Sequence, residues 1–181
     1  MTYAPESRAT RRPTNIGFMD ERPVVDDRDP ADAIDQMVAD FMALAETWPA
    51  WDGKPIPITT PYGQRVYTPN KALRRMNDHM VDHLAQLQAE LIGQTTVPDT
   101  WQASRITTES DMAPLTGEDL KEARNRFERL AGMWRATLAS IPADKMDVAK
   151  GEDYTPRELA FHTLESMDYA THVGDLSAAK N

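Results

Sequence analysis

The chain has 181 residues, a 40% hydrophobic content, no cysteine and a formal net charge of −9, with an isoelectric point near 4.9. Such a length suits one domain with a sizeable core, and the missing cysteines exclude disulfides, thiol nucleophiles and thiolate ligands, so that any metal must rest on His, Asp or Glu. The acidity argues against nucleic-acid and anionic-lipid partners, and no apolar run is long enough for a membrane span.

Residues 1–28 carry Pro5, Pro13 and Pro23 among mixed charges and read as a flexible or surface-draped arm. Met1 to Thr14 lack the apolar core of a secretory signal, which points to a cytoplasmic protein. Arg8, Arg11 and Arg12 form a small basic cluster, either a solvated tail or a binding arm.

Residues 29–181 read as an all-α domain, a four-helix bundle. Asp29 caps the first helix and Pro30 opens it. Ile34, Met37, Val38, Phe41, Leu44, Ala45 and Trp48 recur at helical spacing before Pro49 stops it. A Pro-rich connection over 49–66 follows. Ile56 to Thr60 alternates briefly, but Pro55 and Pro57 argue against a strand.

Thr68 and Pro69 open the second helix, whose stripe is Leu73, Met76, Met80, Leu84, Leu87 and Leu91, with Gly93 as its stop. A second long connection, 94–115, carries Pro98, Trp101 and Pro114. Both connections are either covers for a functional cleft or plain crossovers. Thr116 and Asp119 predict a capping box for the third helix, with Leu120, Ala123, Phe127, Leu130, Trp134, Leu138 and Ile141 on one face and Pro142 beyond. Thr155 and Glu158 predict another for the fourth, where Leu159, Ser166, Ala170 and Val173 share a face up to Gly174.

Tyr-Thr-Pro occurs twice, at Tyr67-Thr68-Pro69 and Tyr154-Thr155-Pro156, each time opening an amphipathic helix. The repetition predicts two helical hairpins related by pseudo-symmetry, with the second and fourth helices in equivalent places.

All four histidines lie on those two helices. His79 and His83, four apart, fall on one side of the second helix. At 100° per residue, His83 lies roughly 80° and His79 roughly 120° from Leu73, while His162 lies roughly 60° from Leu159. His172 falls on the opposite face and is expected in solvent. One reading is a three-imidazole site for zinc, nickel or iron, built from His79, His83 and His162, with Asp78, Asp82, Glu165 and Asp168 as outer partners. The other is two half-exposed polar residues and one hydrogen-bonded core histidine. Arg74 and Arg75 read as an anion clamp or as salt-bridged surface groups. Met37, Met42, Met76, Met80, Met133 and Met167 read as core filler. Trp48, Trp101 and Trp134 read as packing anchors, with Trp51 and Trp101 as alternative pocket walls.

The segments Arg65 to Pro69 through Asp78 to Leu84, Tyr154 to Leu159 through His162, Pro114 to Ala123, and Tyr169 to Leu176 resemble the DinB-like superfamily over residues 30–177. That resemblance implies a four-helix bundle, frequent homodimers, and often a divalent metal on three histidines. It also implies, for some relatives, transfer or isomerisation with a low-molecular-weight thiol. The implied pattern has one histidine early in the second helix and a His-x-x-x-His pair on the fourth. Here Arg75 stands at the early position, the pair is His79 and His83, and Ser166 and Ala170 follow His162. The expectation is a metal-dependent thiol transferase or hydrolase acting on a small electrophile. The alternative is a non-catalytic dimeric scaffold, small-molecule-binding or stress-related, with a degenerate metal site.

Overall fold

The computed structural model describes residues 22–61, 63–96, 101–151 and 153–180. The basic cluster at Arg8, Arg11 and Arg12 lies outside them. The described part of the expected arm, 22–28, has no helix or strand, and Arg22 pairs with Glu158 at 2.6 Å.

The structure is mostly helical. Helix α1 spans Pro30–Ala45, and the Asp29 carboxylate accepts from the Ala31 and Asp32 amides at its start. Its apolar face packs on α3, Gly117–Ala139, with Phe41 set edge-on to Phe127 at 5.8 Å and to Trp48 at 5.6 Å. Pro49 does not stop the chain at Trp48; it sits inside a 3₁₀ turn, Trp48–Ala50. The fully buried Trp48 indole donates to Gly174 O at 2.8 Å, tying the end of α1 to the C-terminal helical region.

Helix α2 spans Pro69–Leu91, capped by Thr68, and Gly93 lies beyond it with φ of +72°, a conformation that favours glycine. The expected fourth helix is split. Helix α4 runs Pro156–Thr163, a 3₁₀ turn covers Leu164–Ser166, and α5 runs Met167–Val173. Thr163 Oγ1 donates back to Leu159 O at 3.0 Å, a bond of the kind that bends helices. Both capping boxes form, Thr116 with Asp119 and Thr155 with Glu158. Helices α1 and α2 each contact α3, α4 and α5, around one core that includes Ile34, Met76, Met80, Leu87, Trp134 and Leu159.

The expectation of no strand is corrected. Ile56–Thr60 (β1) and Gly63–Tyr67 (β2) form an antiparallel hairpin, with Ile56 opposite Tyr67 and Pro57 opposite Val66. A two-stranded ribbon has two edges, so each strand has a side on which a missing N–H costs nothing. Ile56 and Ile58 turn toward the core, while Pro57 stays exposed.

Residues 103–113 of the second connection dock on the first two turns of α2. Thr68 Oγ1 donates to Asp111 O at 2.6 Å, and Asn70 Nδ2 donates to Ala113 O. Arg74 forks onto the buried Asp111 carboxylate at 2.9 and 2.8 Å, with the Thr108 amide adding a third donor. Burial alone would raise the Asp111 pKa, but these donors outweigh it and bring it below the usual value. Arg74 is therefore an internal clasp for this connection. Two apolar expectations fail: Leu91 and Met133 are exposed, because their positions on α2 and α3 turn outward. No described helix is long and apolar enough to cross a membrane.

The capping box at α4 positions His162, so its worth is measurable. Thr155→Ala is expected to lower stability by about 1 kcal/mol in urea denaturation. An unchanged midpoint and slope would show that the box contributes nothing.

Candidate metal centre

Helices α2 and α4 bring three imidazoles together. His79 and His83 lie one turn apart on α2. His162 comes from the last turn of α4, whose buried residues Leu159, Ala160, Phe161 and Thr163 fix its direction. The ring centroids form a nearly equilateral triangle, 4.5 Å from His79 to His83, 5.0 Å from His79 to His162 and 4.7 Å from His83 to His162. One nitrogen from each ring lies within 4.8 Å of the other two, close enough for one metal ion. His162 is buried at 6% exposure; His79 and His83 keep partly exposed backbone or ring edges, but protein surrounds most of each ring.

The protonation pattern follows from what faces each Nδ1. His79 Nδ1 is 2.9 Å from Ser166 Oγ, and His83 Nδ1 is 3.2 Å from Gln86 Oε1. Glu165 Oε1 lies 3.1 Å from His162 Nδ1, in reach but short of hydrogen-bond geometry. An acceptor at Nδ1, as Gln86 Oε1 is for His83, holds the proton there and leaves Nε2 as a bare lone pair. His79 Nε2 and His162 Nε2 lie 3.4 Å apart, a contact in which either ring nitrogen can donate. Two nitrogens at metal–nitrogen distances of zinc type, set at a tetrahedral angle, would be about 3.4 Å apart.

Burial pushes the His83 pKa down to about 4, helped by His162 and opposed by Gln86. The His79 pKa is also held well below its ordinary value, first by burial and then by the neighbouring His83, His162 and Arg75. At neutral pH these two rings are uncharged and need lose no proton to ligate a cation.

The candidate residues divide clearly. His79, His83 and His162 converge. His172 does not join them, and it is not solvated as expected: its ring is half-buried 4.8 Å from the Tyr67 ring, and burial lowers its pKa. The hairpin that was not anticipated supplies the tyrosine that covers it. Of the carboxylates, only Glu165 reaches a ring nitrogen; Asp78 pairs with Arg74 and Arg75, and Asp82 and Asp168 are exposed. Of the tryptophans, Trp48 and Trp134 are buried anchors, Trp101 is half-exposed, and Trp51 bonds to Lys54 O.

Sequence reasoning missed four neighbours. Gln86 lies three residues after His83, a spacing that could have suggested its role. Tyr154 and Tyr169 hold their rings 5.2 Å from His162 and 5.9 Å from His79. Lys71 is fully buried, with Nζ on Thr107 Oγ1 at 3.0 Å and 5.2 Å from the Tyr67 ring; burial first, then Arg74, lowers its pKa to about 8. No local pattern announces a buried lysine.

A pH dependence follows from the neutral histidines. An unfolded histidine takes up a proton near pH 6.5, whereas folded His83 resists it until about pH 4. Stability from this group is full above pH 6.5 and is lost as the pH falls from there toward 4, by on the order of 3 kcal/mol. Urea unfolding of metal-free protein should show this decline, and His83→Gln should flatten it by about one proton. Equal pH slopes for the two proteins would contradict the neutral, desolvated ring.

Comparison with family models, with curated proteins and with solved structures gives no match.

Proposed function

We propose that this chain is a metal-dependent enzyme that uses a divalent ion on His79, His83 and His162 to act on a small electrophile, as a thiol transferase or a hydrolase. The observation that supports it is the convergence of three imidazoles from two helices, each with an oxygen at its Nδ1. That outer oxygen is what a metal-ligating histidine needs to fix its tautomer and its ring orientation. A divalent ion supplies Lewis acidity, which brings the pKa of a water or thiol toward neutrality. Three protein ligands leave coordination positions for such a group. Imidazole donors suit zinc, nickel or iron and leave the choice among them to the assay.

Within this reading the chain's own groups divide the labour. Ser166 and Gln86 orient two ligands, and Glu165 offers the third a carboxylate. Tyr154 and Tyr169 wall the rings and keep bulk water from them. The fold reading that accompanies it is a DinB-like bundle of two pseudo-symmetric hairpins, supported by the matched Thr68 and Thr155 caps at the starts of α2 and α4. A homodimer fits the exposed Leu91, Ile92 and Met133 on α2 and α3.

Isothermal titration of metal-free protein with Zn²⁺, Ni²⁺ and Fe²⁺ tests the centre. One ion per chain is expected. His83→Ala or His162→Ala should weaken binding at least about 100-fold, and Ser166→Ala about tenfold. Absence of binding by all three ions would leave the non-catalytic scaffold as the surviving reading.

A further inference from the structure

The three histidines do not stand alone on α2. Arg75 precedes His79 by one turn on the same face, which sets the two residues about 5–6 Å apart at Cβ. Its side chain is 12% exposed. The guanidinium lies over the Tyr169 ring at 5.0 Å, and its Nη2 donates to Tyr169 Oη at 3.1 Å. Tyr169 in turn packs edge-on against His79 at 5.9 Å. The cation is thus held firmly against the wall of the histidine cluster.

Its donors are mostly unspent. A guanidinium carries five N–H groups. Among the described residues, Arg75 makes one hydrogen bond, to Tyr169, and its Nε is buried without a partner. The carboxylate nearest to it, Asp78, stands 3.5 Å from Nη1 and is shared with Arg74 at 3.6 Å. Arg74 differs in having its own buried partner, Asp111, in a forked pair. Each arginine keeps one buried N–H without a partner, Nη1 of Arg74 and Nε of Arg75, but among the described residues the forked carboxylate belongs to Arg74, and Arg75 is the one beside the centre.

We infer that Arg75 selects small anionic ligands, carboxylates foremost, for the tri-histidine centre. This rests on the metal reading proposed above. A carboxylate that meets the ion with one oxygen would turn its other oxygen toward the guanidinium, one helical turn away on α2. Arginine suits this task because it keeps its charge and presents planar donors to a carboxylate. Tyr169 is a positioning residue here: its ring and hydroxyl hold the guanidinium in place. The imidazoles add no competing negative charge, and Glu165 stands on the Nδ1 side of His162.

The test uses the full chain loaded with Co²⁺, whose visible absorption reports on its ligands. Acetate and the neutral acetamide are titrated separately at constant ionic strength. Acetate is expected to perturb the spectrum at concentrations about tenfold lower in the unaltered chain than in Arg75→Gln. Acetamide should act equally weakly on both. Arg75→Lys should fall between, since it keeps the charge and loses the fork. Tyr169→Phe should weaken acetate by a few-fold, and together with the lysine variant it decides the matter if Arg75→Gln does not fold. Equal acetate affinities in Co²⁺-loaded unaltered and variant proteins would overturn the assignment of Arg75 while leaving the metal centre intact. Failure of the unaltered chain to take up Co²⁺ would instead remove the metal reading, and this inference with it.

Discussion

The constraint on which the rest of this structure turns is the enforced closeness of three desolvated imidazoles. Each ring has been removed from most of its water, and the Nε2 atoms of His79 and His162 stand 3.4 Å apart. A polar group taken out of water costs free energy unless something replaces the lost bonds. Ser166 and Gln86 replace them at Nδ1 of His79 and His83, while the Nε2 atoms of His79 and His162 answer each other over 3.4 Å, longer than an ordinary hydrogen bond. A cation among the rings would replace that long contact with ligand bonds. That exchange is the physical content of the proposed centre.

Charges of both signs surround the cluster. Arg75 and, further toward the helix start, Arg74 and Lys71 lie on α2, while Glu165 stands 3.1 Å from His162 Nδ1 and Asp78 and Asp82 adjoin His79 and His83 in sequence. Asp111 and Asp78 answer part of the positive charge. Among the described residues Lys71 pairs with no carboxylate at salt-bridge distance; it relies on Thr107 and the face of Tyr67, at the cost of a lowered pKa. Tyr67 then stacks on Tyr169 at 6.1 Å, so one aromatic layer lies beneath both cations and borders His79.

Much of the fold was legible in the sequence because its signals are local. Asp29, Thr68, Thr116 and Thr155 each cap the helix they were read to cap, since a side-chain oxygen beside free amides acts without tertiary help. The convergence of His79, His83 and His162 was also legible, because spacing gave the faces and the repeated Tyr-Thr-Pro set the two helices in correspondence. What failed depended on partners far away in sequence. His172 was read as solvated because its own helix turns it outward, and only the unexpected hairpin brings Tyr67 over it. The hairpin itself was dismissed on Pro57, a residue that a two-edged ribbon tolerates. Lys71 was passed over because its burial is imposed by a segment 36 residues later.

The break between α4 and α5 shows how local and distant effects combine at the site. Thr163 spends its hydroxyl on Leu159 O, and the chain tightens into a 3₁₀ turn over Leu164–Ser166. His162 stands one residue before the end of α4, and Ser166 ends the turn itself. Both still face α2, one as a ring against His79 and the other as a hydroxyl bonded to it. Glu165, one residue earlier, is carried outward to roughly half exposure yet remains beside His162 Nδ1. A ligand, a partner for a second ligand and a carboxylate for the first thus come from five consecutive residues. The tightened turn lets this short stretch address both sides of the histidine cluster, which a side chain on either helix alone could not do.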